Sequence, residues 1–182
     1  DFRNPDGTTR IHALGEQTAQ GMPPEGYDRG ALYTKEDINN ALAAETAEER
    51  KRIVPSEDRS GHGTAVAGIM AGNGSSYGGV NRGAAPGSEL LVVKMGMTNE
   101  GGFPRTTELM LGLDFVIREA IHAGKPVAVN VSFGKSYGAN DGSSLLESYI
   151  DTESKIWKNK LILAAGTNEF SEGHFRAIMN SE

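Results

Sequence analysis

The most informative stretch of this chain is Ser60-Gly61-His62-Gly63-Thr64-Ala65-Val66-Ala67-Gly68-Ile69-Met70-Ala71-Gly72. A histidine between two glycines begins an apolar run of small residues, long enough for three turns of helix. The run is apolar on nearly every side, which predicts a buried helix with Thr64 as its capping residue. Such a helix carries His62 to the rim of the fold, where an imidazole can act as a base near neutral pH. A lone histidine more often packs or caps, so its role depends on motifs elsewhere.

Two later segments supply such motifs, Val129-Asn130-Val131-Ser132-Phe133-Gly134 and Ile162-Leu163-Ala164-Ala165-Gly166-Thr167-Asn168-Glu169. Together with the histidine stretch, they resemble, in order, three blocks of the subtilisin-like serine proteases (subtilases). The histidine block of that family reads H-G-T-x-V-A-G. The second segment resembles its Ser-x-Gly substrate-binding edge, and the third resembles its A-A-G-N-E turn, with Thr167 where the common wording has glycine.

The resemblance implies a serine endopeptidase with an Asp/His/Ser triad. It makes His62 the catalytic base and Asn168 the donor to the oxyanion. A polypeptide substrate would pair with Ser132, Phe133 and Gly134 on one side, and with the backbone near Gly101 and Gly102 on the other. No cofactor is implied.

Two triad blocks of the family have no match in the sequence. Asp1-Phe2-Arg3 fits the end of the family's H-P-D-[FL]-[RK] stretch, which follows the catalytic aspartate, so we expect that aspartate upstream of Asp1. No G-T-S-x-[AS]-x-P segment presents a nucleophilic serine. We therefore expect residues 1–182 to form a partial subtilase catalytic domain that is inactive on its own, although its full-length parent is a protease.

The remaining pattern predicts an α/β fold. Apolar strands at 90–95, 126–132 and 160–165 alternate with helices at 108–123 and from Ser143 or Ser144 to Trp157, as in a doubly wound, mostly parallel sheet within three αβα layers. In subtilases the strand that bears the aspartate lies between the first two of these strands. Without it, and without the C-terminal serine segment, the fold is incomplete. The two strands then pair directly, another chain fills the gap, or a slot stays open, and we expect self-association through exposed strand edges.

Residues 15–59 form a polar insertion that resembles the clostridial branch of the family, which includes spore-germination proteases. Thr34 and Asp37 form a capping-box pattern, which predicts a short surface helix ending near the charged cluster at 48–52. The resemblance implies a secreted or spore-associated protein.

Composition limits the classes of partner and ligand that this chain can bind. The formal net charge of −6 argues against nucleic acid or an anionic membrane as a partner, and the absence of cysteine rules out disulfides and thiolate ligands. No apolar run approaches the length of a membrane span. The loop at 73–79 corresponds to a calcium-binding loop in many subtilases, but it contains no carboxylate, so we assign no metal and keep structural calcium as the weaker alternative.

Two other functions compete with proteolysis. A catalytically degenerate pseudoprotease that binds peptides or regulates a partner would keep the same fold, although the presence of His62 and Asn168 argues against it. A nucleotide-binding domain using Gly72-Asn73-Gly74 is disfavoured, because no G-x-G-x-x-G follows a strand.

Overall fold

A computed structural model describes residues 1–96, 105–132 and 141–163 of the chain. These residues form an α/β fold, as the sequence predicts. Its elements are β1 (Ile11–Glu16), β2 (Ala31–Thr34), α1 (Lys35–Ala43), α2 (Ala47–Ile53), α3 (His62–Ala71), β3 (Leu90–Lys94), α4 (Thr106–His122), β4 (Val127–Val131), α5 (Leu145–Glu153) and β5 (Asn159–Leu163).

The described strands fall into two sheets. The first has the order β2-β1-β3, with β1 parallel to β3 and antiparallel to β2. In the second, β4 runs parallel to β5. Helix α4 packs against β1, β3 and β4, but β3 and β4 are not neighbours in one sheet. One of the three expected outcomes is direct pairing of β3 with β4. The described strands do not pair in this way.

The core lies beneath one face of α4. Leu109, Leu113 and Val116 on this helix are buried and pack with Val129 and Val131 of β4. The helix also comes close to β3, since a Cβ added at Gly112 would lie 3.3 Å from Cγ1 of Val93. The regularly spaced apolar residues of α4 thus pack against both sheets, and this one helix joins them.

The three predicted apolar strands are present, with small differences at their ends. The first is less buried than its sequence suggests: only Leu90 of β3 is fully buried and the rest of the strand is half-buried. The near-continuous apolar run at 90–95 predicts a strand buried on both faces, and this prediction is wrong for the described structure. The last predicted strand begins one residue earlier, at Asn159, and residues 164 and 165 lie outside the described residues.

Helix α5 ends earlier than predicted. Its start at the Ser144 cap agrees with the sequence, and the Ser144 and Glu147 side chains form a capping box. The helix ends at Glu153 rather than at Trp157, which adopts a left-handed φ of 58°. The indole Nε1 of Trp157 donates to the carbonyl of Lys125 (2.7 Å). This contact between distant residues stabilises the turn at Trp157, and the local sequence pattern of a helix cannot predict it.

The polar stretch at 15–59 contains more structure than one helix. Thr34 and Asp37 cap α1 as predicted, with Ile38 and Ala41 on its buried side. The charged cluster, however, forms a second helix, α2, with its own capping box from Thr46 and Glu49. The stretch also contains β2, a short edge strand that the sequence pattern does not predict.

Candidate active site

His62 is the first residue of α3, and the backbone before it makes a tight turn. Gly61 is the N-cap residue and has a φ of 75°, in the left-handed region that favours glycine. The sequence predicts Thr64 as the capping residue, and this prediction is wrong. Thr64 lies inside the first turn of α3 instead. Gly61 has no side chain to bond the free amides of this turn.

Asp58 supplies the missing acceptor from upstream of the turn. Its Oδ1 atom accepts hydrogen bonds from the backbone N–H of Ser60 (3.2 Å) and of Gly61 (2.9 Å). Its Oδ2 atom accepts from the N–H (2.8 Å) and the hydroxyl (2.6 Å) of Thr64. The bonds from Thr64, with those from Gly61 and Ser60, hold the pKa of the Asp58 carboxyl well below its usual range. The carboxylate is thus charged at the positive end of the helix that begins with His62.

The residues just before Asp58 are anchored to the first sheet. The hydroxyl of Ser56 donates to Oε2 of Glu16 (2.6 Å), and Nζ of Lys94 donates to the carbonyl of Glu57 (2.6 Å). Glu16 and Lys94 are the last residues of β1 and β3, and their side chains form an ion pair at 3.5 Å. Segment 56–58 is therefore tied to the carboxyl edge of the parallel strand pair.

The carboxylate of Glu16 is almost completely enclosed, with a side-chain exposure of 2%. Burial opposes ionisation, but hydrogen bonds from Ser56 and Thr18 and the charge of Lys94 outweigh it and lower the pKa. Glu16 is thus a buried, ionised acceptor whose partners are supplied by three separate segments.

These contacts place His62 beyond the carboxyl ends of β1 and β3, four residues after Asp58. Parallel α/β sheets bind ligands at this edge. The position agrees with the prediction from the sequence that His62 lies at the rim of the fold.

Helix α3 is much more exposed than its apolar sequence predicts. Ala71 is its only buried residue, and Ile69 is 75% exposed. No described strand or helix packs extensively along α3. Its last turn is held instead by the backbone amides of Ala84 and Ala85, which donate to the carbonyls of Ile69 and Met70. The predicted burial of this helix is therefore wrong for the part of the chain that is described.

The far end of α3 is held by Arg10. This side chain is 5% exposed, and its guanidinium donates to the carbonyls of Ala71, Ser88 and Asp1. A cation suits the negative end of a helix. Both ends of α3 are thus fixed by side chains from outside it.

Ser132 is the other predicted site residue within the described ranges, and it follows the carboxyl end of β4. Its hydroxyl accepts a hydrogen bond from Nδ2 of Asn130 (2.7 Å). Five predicted site residues lie outside the described residues: Gly101, Gly102, Phe133, Gly134 and Asn168. Their roles, and the separation of the oxyanion donor from His62, stay predictions.

The carboxylate of Asp1, far from this segment in the sequence, binds the loop at 73–79. Oδ1 of Asp1 accepts from the hydroxyl of Ser75 (3.1 Å) and the N–H of Ser76 (2.9 Å). Within the described ranges, no group of three or more His, Cys, Asp or Glu side chains could hold a metal ion. Structural calcium stays an untested alternative. No helix in the described ranges combines the length and apolarity needed to cross a membrane.

The sequence motifs do not identify Asp58, Glu16 or Lys94 as residues of the candidate site. Asp58 carries a local signal, because an aspartate just ahead of a Ser-Gly turn is a common acceptor for amides at the start of a helix. Glu16 and Lys94 carry no signal for their link to segment 56–58, because the contacts that form it join residues 37 to 78 positions apart.

Comparison with known proteins agrees with the sequence motifs. The model of the subtilase family matches residues 26–179. The structure of the Clostridium perfringens CspB protease is similar to this chain, with 36% identity and a TM-score of 0.78. That match covers 91% of this chain and 32% of the clostridial chain, so the present chain spans about a third of its relative. The predicted resemblance to the clostridial branch is thereby confirmed, and the chain belongs to the subtilase family.

Proposed function

We propose that the full-length protein carrying this chain is a serine endopeptidase and that His62 is its catalytic base. The observation that carries the proposal is the anchoring of the first turn of α3, through Asp58 and segment 56–58, at the carboxyl edge of the first sheet. An imidazole must be held in one position to accept a proton from a nucleophile. Family membership supplies the reaction class.

In this mechanism, His62 takes the proton of the serine hydroxyl as that oxygen attacks the peptide carbonyl, and later gives it to the leaving amine. Asn168 donates a hydrogen bond to the oxyanion, a contribution typically worth about 3 kcal/mol. The substrate backbone pairs with the edge at Ser132, Phe133 and Gly134 and with the segment at Gly101 and Gly102. These roles rest on the family motifs.

The test is hydrolysis of a fluorogenic polypeptide by the full-length protein, with His62→Ala and His122→Ala compared. His122 is a suitable control because its side chain is 69% exposed at the end of α4. We expect His62→Ala to lower kcat by about 1,000-fold or more and His122→Ala to leave it unchanged. A folded wild-type protein without activity would favour the pseudoprotease alternative.

We further propose that the isolated 182 residues do not hydrolyse peptides and self-associate through the exposed edges of β3 and β4. The sequence carries no G-T-S-x-[AS]-x-P segment, and neither edge pairs with the other sheet in the described structure. Strand edges of this kind recruit other chains. Light scattering that shows a monomer at high concentration would contradict the second part.

A further inference from the structure

The carboxylate of Asp58 bonds to backbone on both sides of His62. It accepts from Gly61 immediately before the histidine and from Thr64 two residues after it. The hydroxyl of Ser60, which is 3.3 Å from Oδ1 of Asp58, accepts the N–H of His62 itself at 3.2 Å. Hydrogen bonds on both sides of His62 thus lead to the Asp58 carboxylate and fix the backbone that carries the imidazole.

We propose that Asp58 is a positioning residue for His62 in the hydrolytic reaction, and that Glu16 and Lys94 act through it by fixing segment 56–58. This inference rests on the proposed function, because it assigns Asp58 a role in the same reaction.

Three consecutive residues connect the sheet to the helix. Ser56 is bound through its hydroxyl to Glu16, Glu57 through its carbonyl to Lys94, and Asp58 through its carboxylate to the first turn of α3. The two anchoring side chains come from adjacent parallel strands and pair with each other. A shift of Asp58 along the sheet edge would therefore break the contacts of the two preceding residues, Ser56 and Glu57.

An ordinary helix cap differs from this arrangement. A capping side chain usually belongs to the N-cap residue, but here that residue is Gly61, and the acceptor is three residues upstream. The carboxylate therefore fixes the Gly61 turn as well as the helix. Because the turn sets the direction in which α3 presents its first residue, losing the carboxylate changes the placement of the imidazole.

Misplacement of a proton-transfer group affects the chemical step more than substrate binding. In the full-length protein, we expect Asp58→Ala to lower kcat about 100-fold, with KM changed by less than about twofold if binding contacts are untouched. Asp58→Asn keeps one acceptor oxygen, so it should recover part of the loss. The folded fraction of each variant distinguishes positioning from a general loss of folded protein.

Asp6→Ala is the matched control. Asp6 is also an exposed aspartate that accepts from a backbone N–H and a hydroxyl, both of Thr8, at 3.0 and 2.7 Å. It lies in a turn before β1. We expect Asp6→Ala to leave kcat and KM at their wild-type values.

The experiment measures kcat, KM and the folded fraction for wild type, Asp58→Ala, Asp58→Asn and Asp6→Ala. Wild-type activity with a large, selective loss of kcat at Asp58 and partial rescue by asparagine supports the inference. Equal kcat for wild type and both Asp58 variants overturns it and leaves the proposed function intact. If Asp58→Ala does not fold, Asp58→Asn decides: an unchanged kcat in that variant also overturns it. An inactive, folded wild type overturns the proposed function and the inference with it.

Discussion

Oδ2 of Asp58 lies 2.8 Å from the backbone nitrogen of Thr64 and 2.6 Å from its hydroxyl oxygen. The two residues are six positions apart, with His62 between them. In this chain the threonine of the H-G-T motif, Thr64, therefore has a partner that lies outside the motif. The bond closes the first turn of α3 around the candidate base.

Replacing Asp58 should destabilise the fold as well as misplace His62. Asp58→Ala leaves the N–H groups of Ser60, Gly61 and Thr64 without their acceptor. Loss of such a cap typically costs about 1 kcal/mol. Chemical denaturation of the full-length protein measures this cost, and Asp6→Ala gives the background effect of removing a turn carboxylate elsewhere. Equal free energies of unfolding for wild type and Asp58→Ala would contradict the assignment.

Glu16 should contribute more to stability than its ion-pair partner. Glu16→Ala removes the buried carboxylate that accepts from the hydroxyl of Ser56 and from the N–H and hydroxyl of Thr18, and that pairs with Lys94; we expect a cost of about 3 kcal/mol. Lys94→Met should cost about 1 kcal/mol, since the lysine side chain is one-third exposed.

Glu57→Ala is the control for this pair of variants. The Glu57 side chain is 56% exposed and forms a surface ion pair with Lys51 at 3.6 Å. The variant keeps the carbonyl that Lys94 bonds, so its free energy of unfolding should stay within about 0.5 kcal/mol of wild type. A Glu16→Ala variant as stable as Glu57→Ala would contradict the role of the buried carboxylate.

Stability should fall in acid partly through Asp58 and Glu16. Both carboxyls have pKa values lowered by folding. Their contribution is therefore complete above the unfolded-state pKa values of about 4, and it is lost as the pH falls below them. Asp58→Asn and Glu16→Gln should each flatten the dependence of unfolding free energy on pH in this range. Parallel curves for wild type and both variants would show that these carboxylates are not linked to folding.

The packing of α4 gives a test of the core with a control on the same helix. Leu113 is 2% exposed in the cluster that joins the two sheets, whereas Leu111 is 39% exposed. Leu113→Ala should lower the unfolding free energy by about 3 kcal/mol because it leaves a cavity. Leu111→Ala should change it by less than about 1 kcal/mol. Similar costs for both variants would contradict the described packing.

Local signals account for the parts of the fold that the sequence predicts well. The capping box of Thr34 and Asp37 and the Ser144 cap both depend on side chains within a few residues of each other, so α1 and the start of α5 agree with expectation. The apolar spacing of α4 similarly identifies the face that becomes the core.

The errors arise where distant residues decide the outcome. The apolar sequence of α3 predicts burial, but exposure depends on which elements lie against it, and Ile69 is mostly exposed. The end of α5 depends on the bond between Trp157 and Lys125. In the candidate site, His62 was identifiable from its motif, while Glu16 and Lys94 act through partners that only the fold brings together.

The rate at which a fluorophosphonate probe labels the full-length protein tests most directly whether His62 is the catalytic base. The probe reacts with a serine only when a base activates its hydroxyl. We predict rapid labelling of wild type and His122→Ala, and a loss of labelling in a folded His62→Ala variant. Labelling of His62→Ala at the wild-type rate, or no labelling of folded wild type, would contradict the assignment of His62 as the catalytic base.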